Sequence, residues 1–151
     1  MMISDDCQWS QQEILSFLAA AKIPLRASFC NTKNEPMICS LWFKSDGITL
    51  WAASHENSYL IKQLKHNQTI SFEVSTNEYP YKGVRGKATV ELVKNNADAI
   101  LHELIDKYLG NSNNQLATWL LSRASNEYAI KITPSHINSW DFSDRMPDQQ
   151  Q

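Results

Sequence analysis

The sequence predicts a mainly β fold with peripheral helices, in which six short strands form an antiparallel split β-barrel. Three observations lead there. Apolar and polar residues alternate in short runs, as in TISFEVST, where Ile70, Phe72 and Val74 oppose Ser71, Glu73 and Ser75. Turn signals such as NTKNEP and KSDG join successive runs directly, which favours antiparallel pairing; the βαβ rhythm of a dinucleotide-binding fold is missing, as is GxGxxG. Six such strands around a small core are most economical as a closed or split barrel, because closure removes exposed edges.

The elements follow in chain order. Ser10 and Glu13 have capping-box spacing, and Trp9 and Ile14 stand at staple positions. Ile14, Phe17, Leu18 and Ala21 then mark one face of a helix that Pro24 ends. LRASFCN, PMICSLWF and GITLWAA read as strands; in the last, Ile48, Leu50 and Ala52 face away from Thr49, Trp51 and Ala53. The polar loop SHENSYLIKQLKHNQ runs into a short helix that offers Leu60, Ile61 and Leu64 to the sheet. TISFEVST and VRGKATVELV are the next two strands. In NNADAILHELIDKYLG a helical stripe of Ala97, Leu101, Leu104 and Tyr108 precedes Gly110, a natural C-cap, and NQLATWLLSR is a shorter helix. EYAIKIT is the final strand, closed by Pro134, and HINSWDFSDRMPDQQQ is a tail with aromatic anchors. One domain is expected over residues 1–151, with 143–151 a flexible tail.

Composition narrows the function. With 42% hydrophobic and 20% charged residues, the chain has the make-up of a folded protein. A net charge of -2 argues against a protein built mainly to bind nucleic acid, which needs a broad basic field. MMISDDCQW shows no secretory signal, and no window approaches the roughly 18 apolar residues of a membrane span. Cys7, Cys30 and Cys39 are odd in number and lack CxxC spacing, so reduced thiols in the cytoplasm are expected, without a disulfide framework or zinc site.

Conventional catalytic motifs are missing. His55, His66, His102 and His136 are scattered, and GxSxG, HExxH and DxDxDG do not occur. Two segments carry the interest. In ASHENSYLIK, Ser54, Asn57 and Ser58 offer hydrogen bonds to a phosphate at the start of a helix, with Lys62 a turn further on; an ordinary capped connection fits the same residues. In YPYKGVRGKATV, Lys82 and Arg85 supply charge while Gly83 and Gly86 permit close backbone approach. That segment suits one wall of a phosphate-bearing groove, or else a twisted, solvated strand edge. Trp42, Trp51, Trp119 and Trp140 serve core packing, a planar cofactor or a dimer interface.

The ordered segments PMICSLWF, DGITLWAAS, TISFEV, YKGVRGKATV and IKITPSHINSWDFS, with Ser58, Leu64 and Asn67 between them, resemble the pyridoxamine-phosphate-oxidase-like flavin-binding split-barrel family from about Ile14 to Phe142. YPYKGVRG, HELIDKYLG and SWDFSDRM resemble a bacterial subgroup of small members. The resemblance implies a homodimer with FMN in two grooves at the subunit interface. Ser40, Leu41 and Trp42 would run beside the flavin ring, and Ala53, Ser54 and Ser58 would lie around the ribityl chain and phosphate. Trp140 would reach towards the flavin from the partner. Many members carry Arg-Lys directly after the serine matched by Ser58; here Tyr59 and Leu60 stand instead, so the cation must come from Lys62, Lys82 or Arg85.

A small FMN-dependent oxidoreductase or flavin reductase of unassigned substrate leads this reading, and a genuine pyridoxine-phosphate oxidase is not expected. A non-enzymatic flavin or haem module, with His55 or His136 as haem ligand, and a cofactor-free structural or regulatory homodimer are the alternatives. No residue stands out as catalytic.

Overall fold

The computed structural model describes residues 1–146. In chain order the elements are β1 (Met2–Ile3), α1 (Gln11–Ala20), β2 (Leu25–Cys30), β3 (Pro36–Leu41), β4 (Lys44–Asp46), β5 (Thr49–His55), α2 (Tyr59–Leu64), β6 (Thr69–Ser75), β7 (Lys82–Val93), α3 (Ala97–Tyr108), α4 (Asn114–Ser122), a 3-10 turn (Ala124–Asn126) and β8 (Glu127–Asp141). The expected capping box is present: Glu13 N–H donates to Ser10 Oγ, and Ser10 N–H donates to the Glu13 carboxylate.

The predicted six-stranded split barrel needs correction. Eight strands form one sheet in the order β3-β2-β6-β7-β8-β5-β4, with β1 added to β8, and the sheet is not closed into a barrel. Pairing is antiparallel except for the parallel β1–β8 contact. The two ends of the path, β3 and β4, are separated in sequence only by Trp42 and Phe43. PMICSLWF reads as one strand but stops at Leu41, because helix α3 takes the next backbone groups. Phe43 N–H donates to Tyr108 Oη (3.3 Å), and Lys107 Nζ donates to Phe43 O (2.7 Å). With both groups engaged and the Phe43 ring fully buried, the ladder cannot run on.

A second correction concerns Pro134, which does not end the last strand. β8 runs 15 residues to Asp141, so the first part of the expected tail, His136 to Asp141, is sheet. Proline lacks the N–H that a ladder needs. It is accommodated at a register shift, where β7 steps from the Lys87–His136 pair to Ala88–Pro134. Of the expected flexible tail, Arg145 N–H and Met146 N–H turn back to Phe142 O, and residues 147–151 lie outside the described residues.

Alternation sends one face of the sheet inward. Leu25, Ala27, Leu50, Ala52, Phe72, Val74, Val84, Ile130, Ile132 and Ile137 form the main core, closed by Ile14 and Leu18 of α1 and Leu60, Ile61 and Leu64 of α2. The outer face divides in two. Helix α3 covers one part, packing Ala97, Ile100 and Leu104 against Ala129 and the partly buried Trp42, Trp51, Ala53 and Val93. The part built from β3, β2, β6, β7 and the second half of β8 has no helix over it among these packing contacts. No helix among the described residues is long and apolar enough to cross a membrane.

The end of α3 acts as a latch on the β3–β4 junction. Tyr108 stacks on Trp42 (centroids 5.1 Å apart, planes 5° apart), and its hydroxyl donates to Ile23 O (3.0 Å). Burial pushes the Lys107 amine down to about 8 from 10.5. Between those values the unfolded chain holds a proton that the folded chain has released, so stability rises with pH across this window. Denaturant titrations from pH 7.5 to 10.5 are expected to show that rise in the native protein and a flatter profile in Lys107→Met. Superimposable profiles would place the amine outside the junction.

Candidate functional site

Strand register sets up rows of side chains across the uncovered outer face. One row runs Ser40–Arg26–Glu73–Arg85–Asn138, each residue directly opposite the next. The next, two residues along each strand, runs Ile38–Ser28–Ser71–Lys87–His136. On the other side of the first row, Ser75, Gly83 and Trp140 lie opposite one another. Ten of these residues share their outward parity because strand side chains alternate at period two.

Together the first two rows, apart from Ser40, line a groove of about 490 Å³, within the range of small-molecule sites. Its walls hold Arg26, Arg85, Lys87 and His136, with Glu73 the one carboxylate, and Ile38 adds apolar surface. Gly86 leaves room for the Phe72 ring, which lies opposite it in the inner row. A Cβ at Gly86 would stand 3.0 Å from Phe72 Cε1 and 2.2 Å from His136 O, so a side chain there would collide with both the ring and the neighbouring strand.

Among the described residues no salt bridge engages Arg26, Arg85 or Lys87. Glu73 stands opposite both arginines, yet no ion pair joins it to either among the described residues; Ser75 Oγ donates to its carboxylate instead (2.9 Å). Arg85 lies over the Trp140 ring, 4.2 Å from its centroid. Arg26 carries the sharper signal: its Nη1 is buried and has no hydrogen-bond partner among the described residues. A buried donor without an acceptor costs free energy, and an anion in the groove would recover it. At the margin, Asp6 is held below the usual carboxylate range by the Ser4 hydroxyl, with His136 and Asn138 adding to the effect.

The residues expected to surround a flavin fall into separate places. Ser40 and Arg85 belong to the first row, and Trp140 adjoins it. Lys82 begins β7, two residues before Val84, and lies opposite Asp141. Leu41 packs on the main core, while Trp42 and Ala53 are covered by α3. Ser54 and Ser58 meet each other, Oγ to Oγ at 2.8 Å, and Ser58 Oγ accepts the Ile61 N–H as the α2 N-cap. Lys62 is exposed on α2. Ser54 pairs with Tyr128 and Arg85 with Asn138. Those partners are ten residues apart along β8, on the order of 30 Å at the usual strand rise. One small ligand on one subunit therefore cannot touch both groups.

The departure at Tyr59-Leu60 has a local reason. Leu60 is buried in the main core, where a lysine would be costly, and Tyr59 is exposed beside Phe29 at 6.2 Å. His136 lines the groove, whereas His55 lies opposite Glu127 on the far end of β8. No group of three or more His, Cys, Asp or Glu side chains suited to a metal ion occurs among the described residues. Reading by sequence passed over Arg26, Ser28, Lys87 and Asn138. The polar half of the LRASFC alternation, aligned with TISFEVS, carried the signal for the first two.

No family model matches the chain, and no curated protein matches it. Solved structures do. A conserved hypothetical protein, Rv2991 from Mycobacterium tuberculosis, is 15% identical, with a TM-score of 0.80 over 100% of this chain and 97% of its own. The haem storage protein HutZ from Vibrio cholerae is 10% identical, with a TM-score of 0.66 over 88% and 95%. A FAD-binding protein from Mesorhizobium loti is 16% identical, with a TM-score of 0.64 over 87% and 94%. At these identities the likeness is one of fold alone.

Replacing Arg26 by Met tests whether its guanidinium is kept for a ligand. Removing an unsatisfied buried donor is expected to stabilise the ligand-free protein by about 1 kcal/mol in chemical denaturation. The same variant is expected to bind anions more weakly in calorimetry. Lower stability without any change in anion binding would make Arg26 a structural residue.

Proposed function

We propose that this protein binds a flavin nucleotide, with FMN the smallest that meets the groove's charge, and acts as a flavin-dependent oxidoreductase. The buried, unpartnered Nη1 of Arg26 in a groove shared with Arg85 is the observation that carries this reading. A phosphate suits it better than a neutral ligand, because charge-assisted hydrogen bonds are the stronger class. For the ring half, the exposed Ile38 supplies apolar surface. Similar folds in proteins named for binding FAD and storing haem support a cofactor role, with no preference between those groups.

When bound, a flavin supplies the redox chemistry, accepting and returning hydride or electrons at its ring. The chain's own part is to position and tune. Arg26 and Arg85 hold negative charge, Ile38 excludes water from one side, and the strands fix their spacing. Ser54 and Ser58, whose hydroxyls meet at the start of α2, lie too far along β8 from Arg85 to share its phosphate.

A second copy of the chain completes this reading. Ile38 is 72% exposed on the uncovered face, and apolar surface beside charged rows suits an interface that excludes solvent from a cofactor. Light scattering at micromolar concentration is expected to return a dimer, and a monomer throughout would overturn that part.

Ligand binding is tested by titrating FMN and riboflavin, which lacks the phosphate. Arg85→Ala is expected to weaken FMN by about 1.5–3 kcal/mol, the usual cost of a lost hydrogen bond to a charged group, and to affect riboflavin far less. A protein that binds neither flavin refutes the reading.

A further inference from the structure

We infer that the groove holds two anion subsites in series and selects a ligand with two linked phosphoryl groups over one with a single phosphoryl group. The inference takes only the rest of the ligand, a flavin nucleoside, from the reading above.

Row spacing is the first ground. Arg85 and Lys87 project from the same face of β7, two residues and therefore about 7 Å apart. Each stands in a different row with a different neighbour: Arg85 opposite Asn138, and Lys87 opposite His136. The second ground is the direction in which Arg85 leans. Its guanidinium rests on Trp140, which lies opposite Gly83 on the side of the first row away from Lys87. The Trp140 contact thus draws the two cations apart instead of letting them converge on one phosphoryl group.

Charge divides accordingly. Glu73 offsets part of the positive charge in the row of Arg26 and Arg85, which leaves that end suited to a singly charged phosphoryl linkage. Lys87 stands between Ser71 and His136, and its row, which runs on to Ser28 and Ile38, holds no carboxylate to offset it, so it is open to a second group. Asp6 bounds this end beyond His136. A pyrophosphate bridge lying across the two rows would meet a cation at each end, which a lone phosphate cannot do.

Calorimetry at matched ionic strength, with inorganic phosphate, inorganic pyrophosphate, FMN and FAD as probes, tests the inference. The native protein is expected to prefer pyrophosphate to phosphate and FAD to FMN. Lys87→Gln, at an exposed position, is expected to weaken pyrophosphate and FAD by about tenfold, one charge-assisted bond, while FMN stays within about twofold. Equal weakening of FMN and FAD by Lys87→Gln, or no change in either, would overturn the two-subsite arrangement and leave flavin binding intact. Lys87-dependent pyrophosphate binding without affinity for either flavin would uphold the subsites and remove the flavin. Failure of all four probes to bind would remove both.

Discussion

One unbroken strand holds this molecule together. β8 pairs with β7 along almost its whole length, with β5 over its first half and with β1 near its far end. The core residues Ile130, Ile132 and Ile137 point inward from it, and Asn138 and His136 point outward into the groove. The same strand therefore sets the distance between the α3-covered face and the open one. The register shift around Pro134 lets it pass a residue that would otherwise terminate pairing, and without that accommodation the second half of the groove would have no wall.

The two parts of the outer face show how one sheet serves two purposes. Where α3 lies over it, the outward side chains are Trp51, Ala53 and Ala129, apolar or small, and the latch of Tyr108 and Lys107 fixes the helix end. Where no helix covers it, the same alternation brings out Arg26, Arg85 and Lys87. A chain with net charge -2 thus concentrates positive charge on one concave surface, which focuses the local field toward an anion that the molecule as a whole would repel.

Much of the fold was legible because it is local. The capping box at Ser10 and Glu13, the αL residue Gly110 after α3 and the alternation of TISFEVS all depend on neighbours in sequence. What the residues could not convey was longer in range. The break after Leu41 arises from contacts between Phe43 and residues 107 and 108, and continuation past Pro134 depends on an irregularity in a different strand. The candidate site followed the same division. Arg85 was visible beside its glycines, and the sequence also pointed to Trp140. Arg26 and Lys87 enter only through register, since one residue of slippage would have turned either to the other face. Ser54 and Ser58 were read as ligands or caps, and the hydrogen bond from Ile61 N–H makes Ser58 a cap.

Because β8 follows all of its partners in sequence, it bears on how the protein is made. β1, β5 and β7 each wait for a partner that is synthesised after all of them, and Met2 is joined to His136 across nearly the full sequence. Closing contacts of such long range is slow, because the loop entropy is lost before the pairing is gained. Until residues 127–141 leave the ribosome, β5 and β7 each present an open edge to other nascent chains. Truncation within the last fifteen strand residues would thus do more than trim a tail: it would leave a sheet in two pieces, with edges free to pair between molecules.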